Sequence, residues 1–210
     1  ETLEGTTREE LLSFYEGHYS ANRMDLVVLG KTSLDTLQMW AEQYFSSVPN
    51  RDLPLLTFEP DYLPTKETFR LIQIEPIKDV RKLEIEFPMP TFVGDYGSKP
   101  AEVLGSLIGH EGKGSLLSLL KQEDLATALG AGGYLNTQDY GGFTISVDLT
   151  PKGLEKYQEV VRLSLAYINM LKKSAYPAYY FEEMRAKASL DEIYSDRGEG
   201  GGYATQLARH

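Results

Sequence analysis

The sequence is poor in the side chains that bind transition metals or form disulfides. Its 210 residues include no cysteine and three histidines, His18, His110 and His210. The absence of cysteine excludes a disulfide scaffold and a thiol nucleophile, although it leaves the cellular compartment open. With no thiolate and so few imidazoles, a metal site built from nitrogen and sulfur ligands is not expected. We therefore predict that no residue of this chain is a metal ligand.

Positive charge and long apolar runs are also scarce. Lysine and arginine total 21 against 31 aspartates and glutamates, which gives a net charge of −10. A nucleic-acid partner would require a basic stripe, so we predict none. No run is apolar enough to cross a bilayer and no signal peptide is visible, which predicts a soluble protein whose location, periplasmic or cytoplasmic, is unknown. The chain begins at Glu1 rather than methionine, so we expect a piece of a longer protein.

Periodicity predicts an α+β domain over most of the chain. Apolar and polar residues alternate over 83–87 and 143–149, the pattern of strands with one buried face, and residues 69–75 are apolar-rich. A helical repeat of apolar residues follows over 151–173, and another helix begins at Pro177. We predict an antiparallel or mixed sheet with helices packed on one face.

The first 45 residues predict a smaller and incomplete unit. Two amphipathic helices, one opened by Thr7 and the other by Ser33, flank an apolar strand over Met24–Leu29. One strand is too few for a sheet, so we expect this unit to belong to a domain whose other strands lie outside the chain. A proline-rich stretch that follows predicts a linker. The predicted division is the end of one domain over 1–49, a linker over 50–66 and a second domain over 67–210.

The most informative stretch is Ser98–Leu120, which predicts a helix, a glycine-punctuated break and a second helix. The break, GHEGKGS, places His110 and Glu111 between glycines. A phosphate-binding loop needs G-x-x-x-x-G-K-[ST], and a zinc-peptidase helix needs H-E-x-x-H or H-x-x-E-H. Neither spacing is present, and the remaining interpretation is a binding surface lined by backbone.

Four segments of the chain resemble one family. They are LLSFYEGHYSANRMDLVVLG, EPIKDVRKLEIEFPMP, LIGHEGKGSLLSLLK and ISVDLTPKGL. Together they are similar to the insulin-degrading enzyme and pitrilysin group of zinc metallopeptidases, and the match covers nearly the whole chain. The resemblance implies the end of a first, zinc-bearing domain followed by most of a second. Both would be α+β domains of the LuxS/MPP-like metallopeptidase fold, forming part of a closed chamber that degrades peptides.

The resemblance also implies what the chain does not supply. The family's zinc site is an H-x-x-E-H helix with a downstream glutamate, and no segment here matches it. We therefore expect no catalytic residue and no metal ligand in the chain, and zinc only in the longer parent protein. Peptide substrates and the remaining domains of the parent are the implied partners. A homodimer is a further expectation, because an isolated piece of a longer protein can expose apolar surface that pairs artificially with a second copy.

In the family, the second domain holds the amino terminus of the peptide substrate at an exosite. The resemblance places this site at Gly109 and Glu111 in the turn and at Leu129, Ala131 and Gly133 on a strand. The edge of a strand can add an extended peptide through main-chain hydrogen bonds, and a carboxylate can pair with an α-ammonium group. Family members often have glycine at position 131 and a larger polar residue at position 133, so the ligand preference is expected to differ.

Other interpretations fit the same residues. Glu111 fits a solvated turn carboxylate or a cap of the second helix, and His110 fits a structural hydrogen-bonding residue. The glycines at 130, 132 and 133 fit a β-bulge. For the whole domain, the alternatives to substrate anchoring are a purely structural chamber wall and a subunit of a relative that has lost its zinc site.

We predict that the purified 210-residue chain does not hydrolyse peptides, because the family's zinc motif is absent from it. The measurement is cleavage of a fluorogenic peptide with added zinc, with and without a chelator. Cleavage that the chelator abolishes would contradict the prediction.

Overall fold

The computed structural model describes residues 4–57, 70–175, 178–196 and 198–208. Within these ranges the elements, in chain order, are α1 (Arg8–His18), α2 (Leu34–Phe45), β1 (Lys82–Pro90), α3 (Pro100–Ile108), α4 (Leu116–Gln122), β2 (Ala126–Asn136), β3 (Tyr140–Leu149), α5 (Pro151–Glu155), α6 (Tyr157–Lys173), α7 (Ala178–Tyr194) and α8 (Gly200–Leu207). Across the described ranges we find no helix that is both long and apolar enough to cross a membrane.

The chain forms two compact units. One comprises Glu1–Leu56 with Asp191–His210, and the other comprises Thr57–Leu190. These units group residues by contact and do not define the limits of the parent protein's domains. The division at 1–49, 50–66 and 67–210 therefore stays a prediction, and residues 58–66 of the predicted linker lie outside the described ranges.

The unit at the chain's beginning is helical where the structure describes it. A capping box opens α1, since the Glu10 N–H donates to Thr7 Oγ1 at 3.3 Å and the Thr7 N–H donates to Glu10 Oε2 at 2.8 Å. The Thr7 N–H and, to a smaller extent, the Thr7 hydroxyl, which donates to Glu10 Oε2 at 3.0 Å, hold the pKa of the Glu10 carboxyl below its usual value. The predicted strand over Met24–Leu29 is wrong, because that segment is irregular and exposed. A strand needs a neighbour to pair with, and the described residues supply none here.

The larger unit is built on a three-stranded antiparallel sheet with the order β1-β3-β2. Alternate burial along β1 and β3 leaves Glu84, Glu86 and Asp148 on an exposed face. The opposite face joins the helices in one core, which includes Ile108, Leu116, Leu117, Leu120, Leu129, Phe143, Ile145, Val147 and Val160. The predicted α+β fold with helices on one face of the sheet is therefore confirmed, and the sheet is antiparallel.

The apolar stretch before β1 does not form a strand. Residues 70–75 are irregular, and Phe69 lies outside the described ranges. Leu71, Ile72 and Ile74 are exposed, so their apolar character does not reflect burial in this unit. The strand predicted from apolar composition is therefore wrong over residues 70–75.

The start of α5 packs closely on the segment between α4 and β2. Thr150 Oγ1 accepts a hydrogen bond from the Gly153 N–H at 2.9 Å and donates one to the Asp124 carbonyl at 2.7 Å. Gly153 is buried at this junction, and a Cβ atom built on it would lie 1.8 Å from the Leu125 carbonyl oxygen. Only glycine fits there without a backbone shift.

We predict that Gly153→Ala lowers the free energy of unfolding by about 2 kcal/mol, as expected for overpacking against a rigid backbone. The matched control is Gly97→Ala, because a Cβ built on Gly97 meets nothing within 4 Å. Urea unfolding of both variants is the measurement. Equal stability of the two variants would contradict the close contact.

Candidate functional site

The glycine-rich break joins α3 to α4 as predicted. At the end of α3, Gly109 is the C-cap residue and its N–H donates to the Gly105 carbonyl at 2.8 Å. Gly114 has φ +85°, a left-handed conformation that favours glycine. Ser115 then caps α4, since its Oγ accepts a hydrogen bond from the Ser118 N–H at 3.0 Å. The alternative in which Glu111 caps the second helix is therefore wrong.

A cleft of about 540 Å³ opens between this turn and β2. Its lining comprises Gly105, Ser106, Gly109, His110, Glu111, Gly112, Gly130 and Ala131. Three of the predicted site residues, Gly109, Glu111 and Ala131, thus meet in one cleft. Leu129 and Gly133 lie on the same strand but do not line the cleft, and the Leu129 side chain is buried in the core.

Two hydrogen bonds at the end of β3 show which of its backbone groups point toward β1 and which point toward β2. The Leu149 N–H donates to the Arg81 carbonyl at 2.7 Å, on the β1 side of the sheet. The next N–H, that of Thr150, donates to the Leu125 carbonyl at 3.2 Å, on the β2 side. Successive residues of a strand direct their N–H and C=O groups to opposite sides. The even-numbered residues of β3 therefore face β2.

The register of the two strands then identifies the open edge of β2. Even-numbered β2 residues, such as Gly130 opposite Ser146, direct their backbone groups toward β3. On its other side β2 has no neighbouring strand within the described part of the chain. The residues whose N–H and C=O groups point to that side are Leu129, Ala131 and Gly133. The predicted strand residues are thus the alternate positions of an edge.

The glycines of β2 have two different roles. A Cβ atom built on Gly130 or Gly132 meets nothing within 4 Å, so these residues lie on an open surface in regular register with β3. The register shifts between Gly133 and Leu135. The β-bulge interpretation therefore holds at Gly133 and not at the other two glycines.

Helix α3 approaches the edge strand closely because Gly105 has no side chain. A Cβ atom on Gly105 would lie 2.7 Å from the Ala131 carbonyl oxygen and 3.1 Å from the Gly132 Cα. One on Gly109 would lie 3.6 Å from the Ala131 nitrogen, an ordinary contact distance. Gly105 was missed in the sequence, although a lone glycine inside an apolar helical repeat was a usable signal.

The polar groups of the cleft differ in their partners. Glu111 is exposed, and among the described residues its carboxylate has no hydrogen bond or ion pair. The His110 ring lies over Gly112, where a Cβ atom would be 2.6 Å from its Nε2. Ser106 was not among the predicted site residues, and its hydroxyl lies 3.1 Å from the Tyr180 hydroxyl. Within the part of the chain that the structure describes, the cleft therefore offers one unpaired carboxylate beside an unpaired strand edge.

Comparison with known proteins places the chain among peptidase domains. Residues 6–188 match the model of the peptidase M16 inactive domain. The chain is 38% identical over 207 residues to the A-factor-processing enzyme of Saccharomyces cerevisiae, covering 96% of this chain and 20% of that protein. It is 35% identical over 201 residues to the insulin-degrading enzyme of Homo sapiens, again covering 96% and 20%. The chain thus spans about a fifth of the length of these curated relatives.

A solved structure agrees with these sequence matches. The crystal structure of pitrilysin superposes with a TM-score of 0.81 at 25% identity, covering 96% of this chain and 22% of that one. The likeness extends across nearly the whole chain and agrees with the α+β fold described above.

We predict that Gly105→Ala displaces the end of α3 from β2. Overpacking costs about 1–3 kcal/mol, and alanine regains about 1 kcal/mol of helix propensity, so a net loss of about 1 kcal/mol in unfolding free energy is expected. The control is Gly132→Ala, whose Cβ atom would meet nothing within 4 Å. The measurements are urea unfolding and amide chemical shifts over residues 105–112. Unchanged shifts in Gly105→Ala would contradict the close approach.

Proposed function

The chain belongs to the family of the peptidase M16 inactive domain, homologous to insulin-degrading enzyme and pitrilysin, and from this premise we propose that it anchors the amino terminus of a peptide substrate. The anchoring surface is the open edge of β2 together with the adjoining turn after α3. The observation that carries the proposal is the meeting of Glu111 and Ala131 in one cleft.

The edge of β2 supports main-chain recognition. The N–H and C=O groups of Leu129, Ala131 and Gly133 can pair with an extended peptide whatever its side chains, because β-augmentation uses backbone groups on both partners. Alanine and glycine at 131–133 leave space for a second backbone to approach. Binding of this kind suits a protein that accepts peptides of many sequences.

Glu111 supports recognition of a chain end. A carboxylate without a protein partner is available to an α-ammonium group, and charge-assisted hydrogen bonds are about twice as strong as neutral ones. Because the carboxylate and the strand edge share the cleft, a peptide that pairs with β2 can place its first residue at the turn. This arrangement selects the amino terminus over internal segments.

For the longer protein, we propose a zinc metallopeptidase in which this chain forms part of the wall of the peptide-degrading chamber. The zinc implied by the resemblance does not fit the described residues, since no three His, Asp or Glu side chains converge there. The metal would therefore be held by other parts of the protein, and the chain's own contribution is binding. A purely structural wall is the competing proposal, and it requires no affinity for peptide.

We predict that an extended peptide with a free amino terminus binds the chain and that N-acetylation weakens binding about tenfold, the cost of losing one hydrogen bond between charged groups. Glu111→Gln should weaken binding of the peptide with a free amino terminus by a similar factor. In that variant, acetylation of the peptide should have no further effect on affinity. Glu102→Gln on the exposed first turn of α3 is the control. The measurement is fluorescence anisotropy with labelled peptides.

The competing proposal makes the opposite prediction. If the acetylated and the free peptide bind with the same affinity, both to Glu111→Gln and to the unaltered chain, the carboxylate has no anchoring role. Absence of any binding would favour the structural wall.

A further inference from the structure

The last turn of α3 contains backbone carbonyls that the helix itself does not satisfy. A helical carbonyl accepts a hydrogen bond from the amide four residues later, and for Ser106 that amide is His110, beyond the helix end at Ile108. Carbonyls at this end also carry partial negative charge. They therefore favour a hydrogen-bond donor from elsewhere in the molecule.

Tyr180, at the start of α7, supplies such a donor. Its hydroxyl donates to the Ser106 carbonyl at 3.0 Å, and its oxygen lies 3.1 Å from Ser106 Oγ. Both residues are half-buried and belong to the same compact unit, although 74 residues separate them in the sequence. Burial reduces the competition from water, so this contact fixes the position of the helix end.

The carbonyl that Tyr180 contacts belongs to a residue of the cleft. Ser106 lines the cleft beside Gly109 and Glu111, and its neighbour Gly105 contacts β2. The last turn of α3 is thus held on one side by the edge strand and on the other by α7. These two contacts determine where the following turn lies.

We propose that Tyr180 is a positioning residue for the cleft. Its hydrogen bond to Ser106 sets the place of the turn 109–112 relative to the edge of β2. The inference rests on the proposed function, since the alignment that matters is that of Glu111 with the amino terminus of a bound peptide. Hydrogen bonds weaken steeply as their angle departs from linearity, so a displaced turn loses affinity without losing the fold.

The test uses Tyr180→Phe, which removes the hydroxyl and keeps the ring. Tyr179→Phe is the matched control, because Tyr179 is the neighbouring tyrosine and is 68% exposed. Ser106→Ala is a second variant that removes only the serine hydroxyl and leaves the carbonyl acceptor in place. All three are made in the 210-residue chain, and hydrogen exchange of the backbone amides is followed by NMR without peptide.

Tyr180→Phe is expected to speed exchange at the Gly109 N–H, which donates to the Gly105 carbonyl at the helix end, while amides of β3 exchange at the original rate. Tyr179→Phe should leave both regions unchanged, and Ser106→Ala should have a smaller effect than Tyr180→Phe because the carbonyl acceptor remains. Equal exchange of the Gly109 N–H in Tyr180→Phe and Tyr179→Phe would overturn the inference, as would a uniform increase across the unit, which indicates a purely structural role. This readout needs no ligand, so it decides the role of Tyr180 even if the proposed function fails.

Peptide binding then tests the link to anchoring. We expect Tyr180→Phe to weaken binding of the peptide with a free amino terminus about threefold to tenfold, the range for one hydrogen bond. It should also reduce the loss of affinity that acetylation of the peptide causes. A merely structural role would lower the unfolding temperature and leave the acetylation effect intact. If the unaltered chain shows the acetylation effect and Tyr180→Phe shows the same effect, the link between Tyr180 and anchoring is overturned; if the unaltered chain shows none, it is the proposed function that fails.

Discussion

The contact between the last turn of α3 and the edge strand β2 is the constraint on which the rest of the cleft depends. It exists because Gly105 has no side chain and the Ala131 carbonyl lies where a Cβ atom would be. Any larger residue would push the helix outward and carry the following turn with it. The absence of a side chain at Gly105 thus allows α3, and the turn that follows it, to lie close to the strand edge.

An open strand edge is usually a hazard, because unpaired N–H and C=O groups invite association with other chains. Here the edge is bordered by a helix end and a turn that carries a carboxylate. Under the proposed function, this edge pairs with one extended peptide whose amino terminus lies at the turn.

The two compact units differ in how completely they bury their own apolar side chains. In the larger unit, Ile108, Ile145 and Val160 are fully buried between the helices and the sheet. In the other unit, Leu26, Leu29 and Trp40 are between 43% and 56% exposed. The segment Met24–Leu29 is thus rich in apolar residues in the sequence but mostly exposed in the described structure.

The sequence by itself determined the elements whose signals are local. Alternation identified β1 and β3, the glycine run identified the break after α3, and the resemblance supplied the predicted site residues. Only the tertiary structure decided the order β1-β3-β2, the open side of β2, and the roles of Gly105 and Tyr180. The physical reason is how far apart in the sequence the interacting residues lie. Periodicity reports which face of an element is buried, whereas strand pairing, close approach and a hydrogen bond across 74 residues depend on partners that no local pattern specifies.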